Sequence, residues 1–268
     1  MRERASAPLD EAGRRCHIWP MFPIRDHNAS IRAPFVTYAL IAINVVVFIG
    51  MIGAYPTDRA LMGFYADYAM IPARISSGDG YHTFLTSMFV HGGWMHLLGN
   101  MLFLWIFGDN LEDVLGHVRF LLFYLITGVG ADLTQYAAAP DSMVPLVGAS
   151  GAIAGVMGGY LLLFPRAQVD LILFLIFIIR IITLPAWAML GYWFVVQLLS
   201  GIGTGAGGGG VAYLAHAGGF ALGFVLMIPI WLARGGRGNW QATSGRPTYP
   251  NRPYRIGRSD IPVVRRRR

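Results

Sequence analysis

At 268 residues, 55% hydrophobic and 13% charged, with a mean hydropathy of +0.51, the chain excludes an ordinary soluble domain, in which about a quarter of residues carry charge. The net charge of +7 does not make it a nucleic-acid binder: all 21 basic residues are arginine, many in the two segments flanking the apolar region, which suits membrane orientation and anionic lipid. The single cysteine, Cys16, excludes an internal disulfide and leaves the redox compartment open.

Residues 1–33 carry Arg2, Arg4, Arg14, Arg15, Arg25 and Arg32 without sustained periodicity and are expected to form a mobile tail. No short apolar core with a small-residue cleavage site precedes the first apolar run, which is expected to act as its own insertion signal. A membrane-crossing helix needs about 20 largely uncharged residues. The first such run is 35–52. A polar and aromatic segment, 53–93, follows; it is longer than an ordinary connection and is expected to pack on or dip into the membrane face. The second run, 94–107, ends at Gly108-Asp109-Asn110-Leu111-Glu112-Asp113, the third covers 120–138, and the fourth, 148–164, closes on Pro165 and Arg166.

Residues 169–183 are apolar but interrupted by Asp170 and Arg180, and spanning, re-entrant and interfacial placements all remain open for them. Beyond Pro185 the fifth run covers 186–199. A glycine-rich stretch, 201–210, is expected to be a mobile rim, because glycine loses the most backbone freedom on ordering. The sixth run is 211–231, and 234–268 is an Arg-rich segment expected to be disordered. If 169–183 does not cross, six spans result and both Arg-rich ends share the cytoplasmic side, the arrangement favoured by the positive-inside rule. The expected fold is therefore all-α: a polytopic six-helix membrane bundle over 34–233, in the plasma membrane.

With six spans, the second, fourth and sixth run in one direction and their N-terminal ends share one outer face. His96 and Asn100, four apart and so on one helix face, lie in the second, Ser150 opens the fourth, and His216 lies near the start of the sixth. Ionisable side chains at membrane depth point to a functional site. The pairs Gly151/Gly155 and Gly219/Gly223 are small-xxx-small patterns, so the fourth and sixth spans are expected to pack closely. A serine needs a base to become a nucleophile, and a neutral imidazole is the usual one. Ser150 and His216 fit those roles. The Ser150 backbone N–H, the Asn100 amide and His96 fit an oxyanion site. Asp132 and Asp141 are read as solvated interfacial residues, Glu112 and Arg119 as ties across the turn between spans two and three, and Asn44 and Gln197 as interhelical hydrogen-bonders. Trp187, Trp193 and Phe194 are read as a lipid or gate surface.

These residues resemble the rhomboid family of intramembrane serine proteases. The matching pieces are His91-Gly92-Gly93-Trp94-Met95-His96-Leu97-Leu98-Gly99-Asn100, then Phe107 to Asp113 with Gly116 and Arg119, Gly148-Ala149-Ser150-Gly151-Ala152, and Ala215-His216-Ala217-Gly218-Gly219 with Gly223. The resemblance implies a six-helix core cutting transmembrane segments of other proteins with a Ser150–His216 dyad, His96 and Asn100 on the oxyanion side, and no metal or cofactor. It also implies substrate admission near 53–93 and the fifth span. One departure stands out: where some members carry an aromatic one turn after the nucleophile, stacked on the base, this chain has Ala154, so His216 must be held otherwise. The competing classes are a metalloprotease, for which no HExxH is present, a bis-histidine haem protein using His96 and His216, and a catalytically silent binder of membrane segments.

Overall fold

The computed structural model describes residues 21–28, 30–175, 178–204 and 212–246. Strand β1 (Met21–Asp26) precedes helix α1 (Phe35–Ala54). Three short helices follow, α2 (Asp58–Tyr68), α3 (Pro72–Ser76) and α4 (Thr83–Thr86), and then a single 3-10 turn, Ser87–Phe89. The chain continues through α5 (Trp94–Leu115), α6 (His117–Ala138), α7 (Ser150–Leu163), a hairpin of β2 (Gln168–Leu175) and β3 (Ile178–Pro185), α8 (Ala186–Thr204), α9 (Tyr213–Ala233) and α10 (Gly236–Thr243). By length and composition α1, α8 over Ala186–Gly203, and α9 can each cross a membrane, while α7 is apolar but shorter.

Helix α7 is the axis of the assembly. All but two of its 14 residues, Ser150 and Leu161, are buried, because its sequence alternates small residues with large apolar ones and can be approached from every side. The small residues set the spacing. A Cβ on Gly223 of α9 would overlap the Gly155 backbone, one on Gly219 would overlap the Gly151 carbonyl, and one on Gly158 would overlap that of Phe220. On the other flank Gly155 meets Thr127 and Gly151 meets Ala131, both of α6. The close packing expected of the fourth and sixth apolar runs is present as the α7–α9 interface.

The chain is predominantly helical, but the all-α expectation needs correction. Residues 168–175 and 178–185 pair as antiparallel strands, and β1 adds to them in the order β1-β2-β3. The cause lies in composition and in one charge. Val169, Ile172, Ile178, Ile179, Ile181, Ile182 and Thr183 are β-branched and favour a pleated backbone. Asp170, inside β2, finds Arg25 Nε at 2.6 Å, His27 Nε2 at 2.9 Å and Thr183 Oγ1 at 2.6 Å. Although burial pushes its carboxyl up, those three partners hold it well below the usual carboxylate range. Pro23, which has no N–H, sits beside a register shift in β1, a strand with a single sheet neighbour.

Residues 21–28 and 30–33, expected to belong to a tail, are thus tied to the helices. Asp26 Oδ2 accepts from Tyr160 Oη of α7 at 2.7 Å and from Asn110 Nδ2 of α5 at 3.0 Å. Within the other expected tail, Gly236–Thr243 form α10, whose Trp240 donates its indole N–H to Leu162 O, one of the carbonyls left open at the end of α7, at 3.1 Å. The disorder expected for 1–20 and 247–268, and the mobile rim at 205–210, lie outside the described residues, whereas 201–204 continue α8.

Helix α5 runs two turns beyond its expected end because its last turns are anchoring points. Glu112, 1% exposed, accepts from Val36 N at 2.9 Å, Thr37 N at 2.8 Å and Thr37 Oγ1 at 2.7 Å, supplying the N-terminal cap that Pro34 does not give α1. His117 Nδ1 joins it at 2.5 Å. Glu112 therefore ties α5 to α1 as well as to the turn, while Arg119 is exposed. Asn44 Nδ2 bonds back to Leu40 O in its own helix at 2.8 Å, and its side chain also meets Tyr124 of α6.

Candidate active site

Ser150 is the first residue of α7 and His216 the fourth of α9. One residue beyond the serine and three beyond the histidine, Gly151 and Gly219 let the two backbones meet, so the side chains are forced into range. His216 Nε2 lies 2.7 Å from Ser150 Oγ. Its other ring nitrogen, Nδ1, lies 2.9 Å from Gln197 Oε1 of α8. An amide oxygen only accepts, so Nδ1 carries the proton and Nε2 is left to accept the serine O–H. Trp193, one turn before Gln197, lies with its ring centroid 5.9 Å from that of His216, at 32°. Trp193 and Gln197 together fill the supporting place that Ala154, fully buried on α7, leaves empty.

The other half of the site comes from α5 and the turn before α7. Gly92 N–H points at His96 Nδ1 at 3.5 Å, which leaves Nε2 as the donor. Gly148 has φ +124°, a conformation open to glycine, and a Cβ there would fall 2.7 Å from His96 Nε2 and 3.5 Å from Asn100 Nδ2. The imidazole and the amide thus face the backbone that leads into Ser150. Asn100 is buried, and among the described residues its Nδ2 has no hydrogen-bond partner. A buried unpaired donor costs about 1–3 kcal/mol, so this group awaits an acceptor. The Ser150 N–H is one of the first N–H groups of α7, which have no partner inside the helix. His96, Asn100, Ser150 and His216 all line one cavity of about 1020 Å³, together with Trp94, Phe103, Trp193 and Gln197.

The turn carrying Gly148 is braced from below. Gly148 N donates to Ser87 O at 2.9 Å, and Ser87 Oγ donates to Asp132 Oδ2 of α6 at 2.7 Å. Asp132 is 6% exposed, so its reading as a solvated residue is corrected; it accepts from Ser87 Oγ, while His216 Nδ1 meets Gln197. Asp141 is exposed. The segment 53–93 is pinned to the same turn, with Met70 and Leu146 exchanging backbone hydrogen bonds. Among the described residues, no group of three or more His, Cys, Asp or Glu side chains is arranged to hold a metal ion.

A family model described as Rhomboid domain matches residues 78–233, more than half of the chain. The chain belongs to the rhomboid family. Among its relatives, Rhomboid-like protein 11, chloroplastic, of Arabidopsis thaliana is 44% identical over 75 residues, 28% of this chain and 26% of that protein. Rhomboid protein 1, mitochondrial, of Saccharomyces cerevisiae is 30% identical over 216 residues, 77% of this chain and 55% of its own length. Rhomboid protease GluP of Bacillus subtilis is 33% identical over 130 residues, 48% of this chain and 24% of its own. The chain thus spans between about a quarter and about half of the length of these relatives. Membership makes this rhomboid chain an integral membrane protein.

All four site residues expected from the sequence meet at this one cavity. The reading of Gln197 as an interhelical hydrogen-bonder is right about the bond and missed its partner. A polar residue facing the start of the sixth run from the fifth was the only signal in the sequence. Trp193 and Phe194 pack on His216 and Phe220, whereas Trp187 is exposed.

Proposed function

We propose that this rhomboid-family protein is an intramembrane serine endopeptidase that hydrolyses a peptide bond in or near the transmembrane helix of another membrane protein. The observation that carries the reading is the 2.7 Å approach of Ser150 Oγ to His216 Nε2 at the wall of a large cavity. In the mechanism, His216 takes the serine proton as Oγ attacks the scissile carbonyl. The tetrahedral oxyanion is received by the Ser150 N–H, the Asn100 Nδ2–H and the His96 Nε2–H, donors fixed in place before the charge develops. Collapse of the intermediate breaks the C–N bond, and the imidazolium returns its proton to the departing amine. Water then enters by the same base and releases the acyl group from Ser150.

The proposed topology has α1 and α5 to α9 each crossing the membrane, both ends of the chain on the cytoplasmic side of the plasma membrane, and the dyad near the outer face. It is supported by the shared cavity at the starts of α5, α7 and α9, and by the β2–β3 hairpin, which adds no helix between α7 and α8. Since peptide bonds inside a helix are shielded by their own hydrogen bonds, substrates carry Gly, Ala, Ser or Pro near the cut, where unwinding costs less. Membrane lipid is the remaining partner, and the reaction as drawn uses protein groups and water alone.

The test is cleavage of a model single-span protein in liposomes by wild type, Ser150→Ala and His216→Ala. Product from wild type alone is the expected result. Equal product from all three refutes the mechanism, and no product from any of them favours a silent binder of membrane segments.

A further inference from the structure

We propose that Gln197 is the positioning residue of the dyad, accepting the Nδ1–H of His216 so that Nε2 stays free to take the serine proton, with Trp193 supporting the ring. The inference rests on the reading of Ser150 and His216 as nucleophile and base. A neutral imidazole has two tautomers, and only the one protonated on Nδ1 can act as a base toward Ser150. In the other, Nε2–H would point at Oγ and nothing could take the proton. The partner of Nδ1 therefore decides whether the site works.

Among the described residues lining the cavity there is no carboxylate, and Gln197 Oε1, 2.9 Å from Nδ1, is the acceptor that meets the ring. His96 of α5 is the other titratable group facing this space. An amide suits the location. Gln197 is 9% exposed on an apolar helix, where an ionised carboxylate facing a neutral ring would be costly to bury unless the imidazole takes a proton to pair with it, and the amide oxygen supplies direction without a charge. Ring position comes from the same helix face: Trp193 and Gln197 are four residues apart, and Trp193 spans from His216 to Phe220, 6.1 Å away. Ala154, which has no side chain to offer beyond Cβ, is consistent with this transfer of the supporting role from α7 to α8.

The experiment measures kcat and KM against pH for cleavage of the single-span protein in liposomes by wild type, Gln197→Leu and Gln197→Glu, with Ser150→Ala and His216→Ala in parallel. Gln197→Leu is expected to lose about 10²-fold in kcat with KM little changed, since the base drifts from its attack geometry. Gln197→Glu restores an acceptor and adds a negative charge beside the imidazolium, so it recovers activity and moves the acid limb of the kcat/KM profile up by roughly 1–2 pH units. A purely structural glutamine, once lost, would lower stability rather than kcat alone in the folded protein. The proposal is overturned if folded Gln197→Leu keeps its kcat, or if the acid limb of Gln197→Glu coincides with that of wild type. Should Gln197→Leu not fold, the Gln197→Glu profile decides alone. Active Ser150→Ala or His216→Ala would instead overturn the dyad itself, which separates the two failures.

Discussion

Gly148→Ala is the most exacting perturbation of this site, because it adds one methyl group and removes nothing. The new Cβ would lie 2.7 Å from His96 Nε2 and 2.8 Å from Cε1, against an ordinary contact of about 3.5–4.0 Å. The imidazole has to retreat by roughly 1 Å, and a displacement of that size costs about 10²-fold in rate when it falls on a reacting or stabilising group. If the ring leaves the oxyanion position altogether, the loss is that of a whole donor, about 10²–10³-fold. The φ of +124° also strains an alanine, by about 1–3 kcal/mol, which lowers the thermal midpoint without unfolding the protein. The assay is kcat/KM on the single-span protein, beside a melting curve and helical circular dichroism. Gly63→Ala is the control, since a Cβ there, on α2, meets nothing within 4 Å and alanine is the better helix former. A folded Gly148→Ala variant turning over within a few-fold of wild type would refute the assignment of His96 to the oxyanion.

Gly223→Val drives a side chain into the Gly155 backbone, which cannot swing aside as a flexible side chain would, and is expected to destabilise by about 3 kcal/mol or more in thermal unfolding; an unchanged melting point would contradict the packing. Glu112→Ala leaves the Val36 and Thr37 N–H groups and His117 without their acceptor, costing about 3–5 kcal/mol, while the nearly isosteric Glu112→Gln loses less; equal stability of all three proteins in denaturant would refute the cap. Burial pushes the Asp26 carboxyl up to about 7, the Tyr160 hydrogen bond opposing and the neighbouring Asp109 adding to the rise. With the folded value above the unfolded one, its contribution is complete below about pH 4 and is lost as pH rises through 7, so unfolding in detergent should show wild type weakening between pH 5 and 8.5 by roughly 2–4 kcal/mol and Asp26→Asn doing so less. Parallel curves for the two proteins would contradict that.

The meeting of Ser150 with His216 was legible because it breaks the local rule: a serine, two histidines and an asparagine open runs that are otherwise built for lipid, and glycines at matching spacing announce the approach of two helices. The sheet was not legible. Asp170 reads as an interruption of an apolar run, and the residues that explain it, Arg25 and His27, stand 145 and 143 positions earlier in a stretch that looks like tail. Burial of Asp132 is of the same kind, since its cover, Ser87, lies in a segment without strong periodicity. Trp240, whose indole caps α7 from 78 residues away, could not be told from an aromatic in a disordered segment. Each of these polar contacts is long-range, and helical period carries no trace of it; the β-branched residues between 169 and 183 were the one compositional sign of the strands. The predominantly helical character was therefore legible, and the three-stranded sheet was not.

The measurement closest to the central claim is covalent labelling of the membrane-embedded protein with a serine-directed phosphonate, followed by intact mass and peptide mapping. One adduct per chain, on Ser150, absent from Ser150→Ala and formed far more slowly by His216→Ala, is the predicted result. Labelling of a different serine, or of Ser150 at the same rate with and without the histidine, would contradict an oxygen nucleophile activated across 2.7 Å by the imidazole of α9.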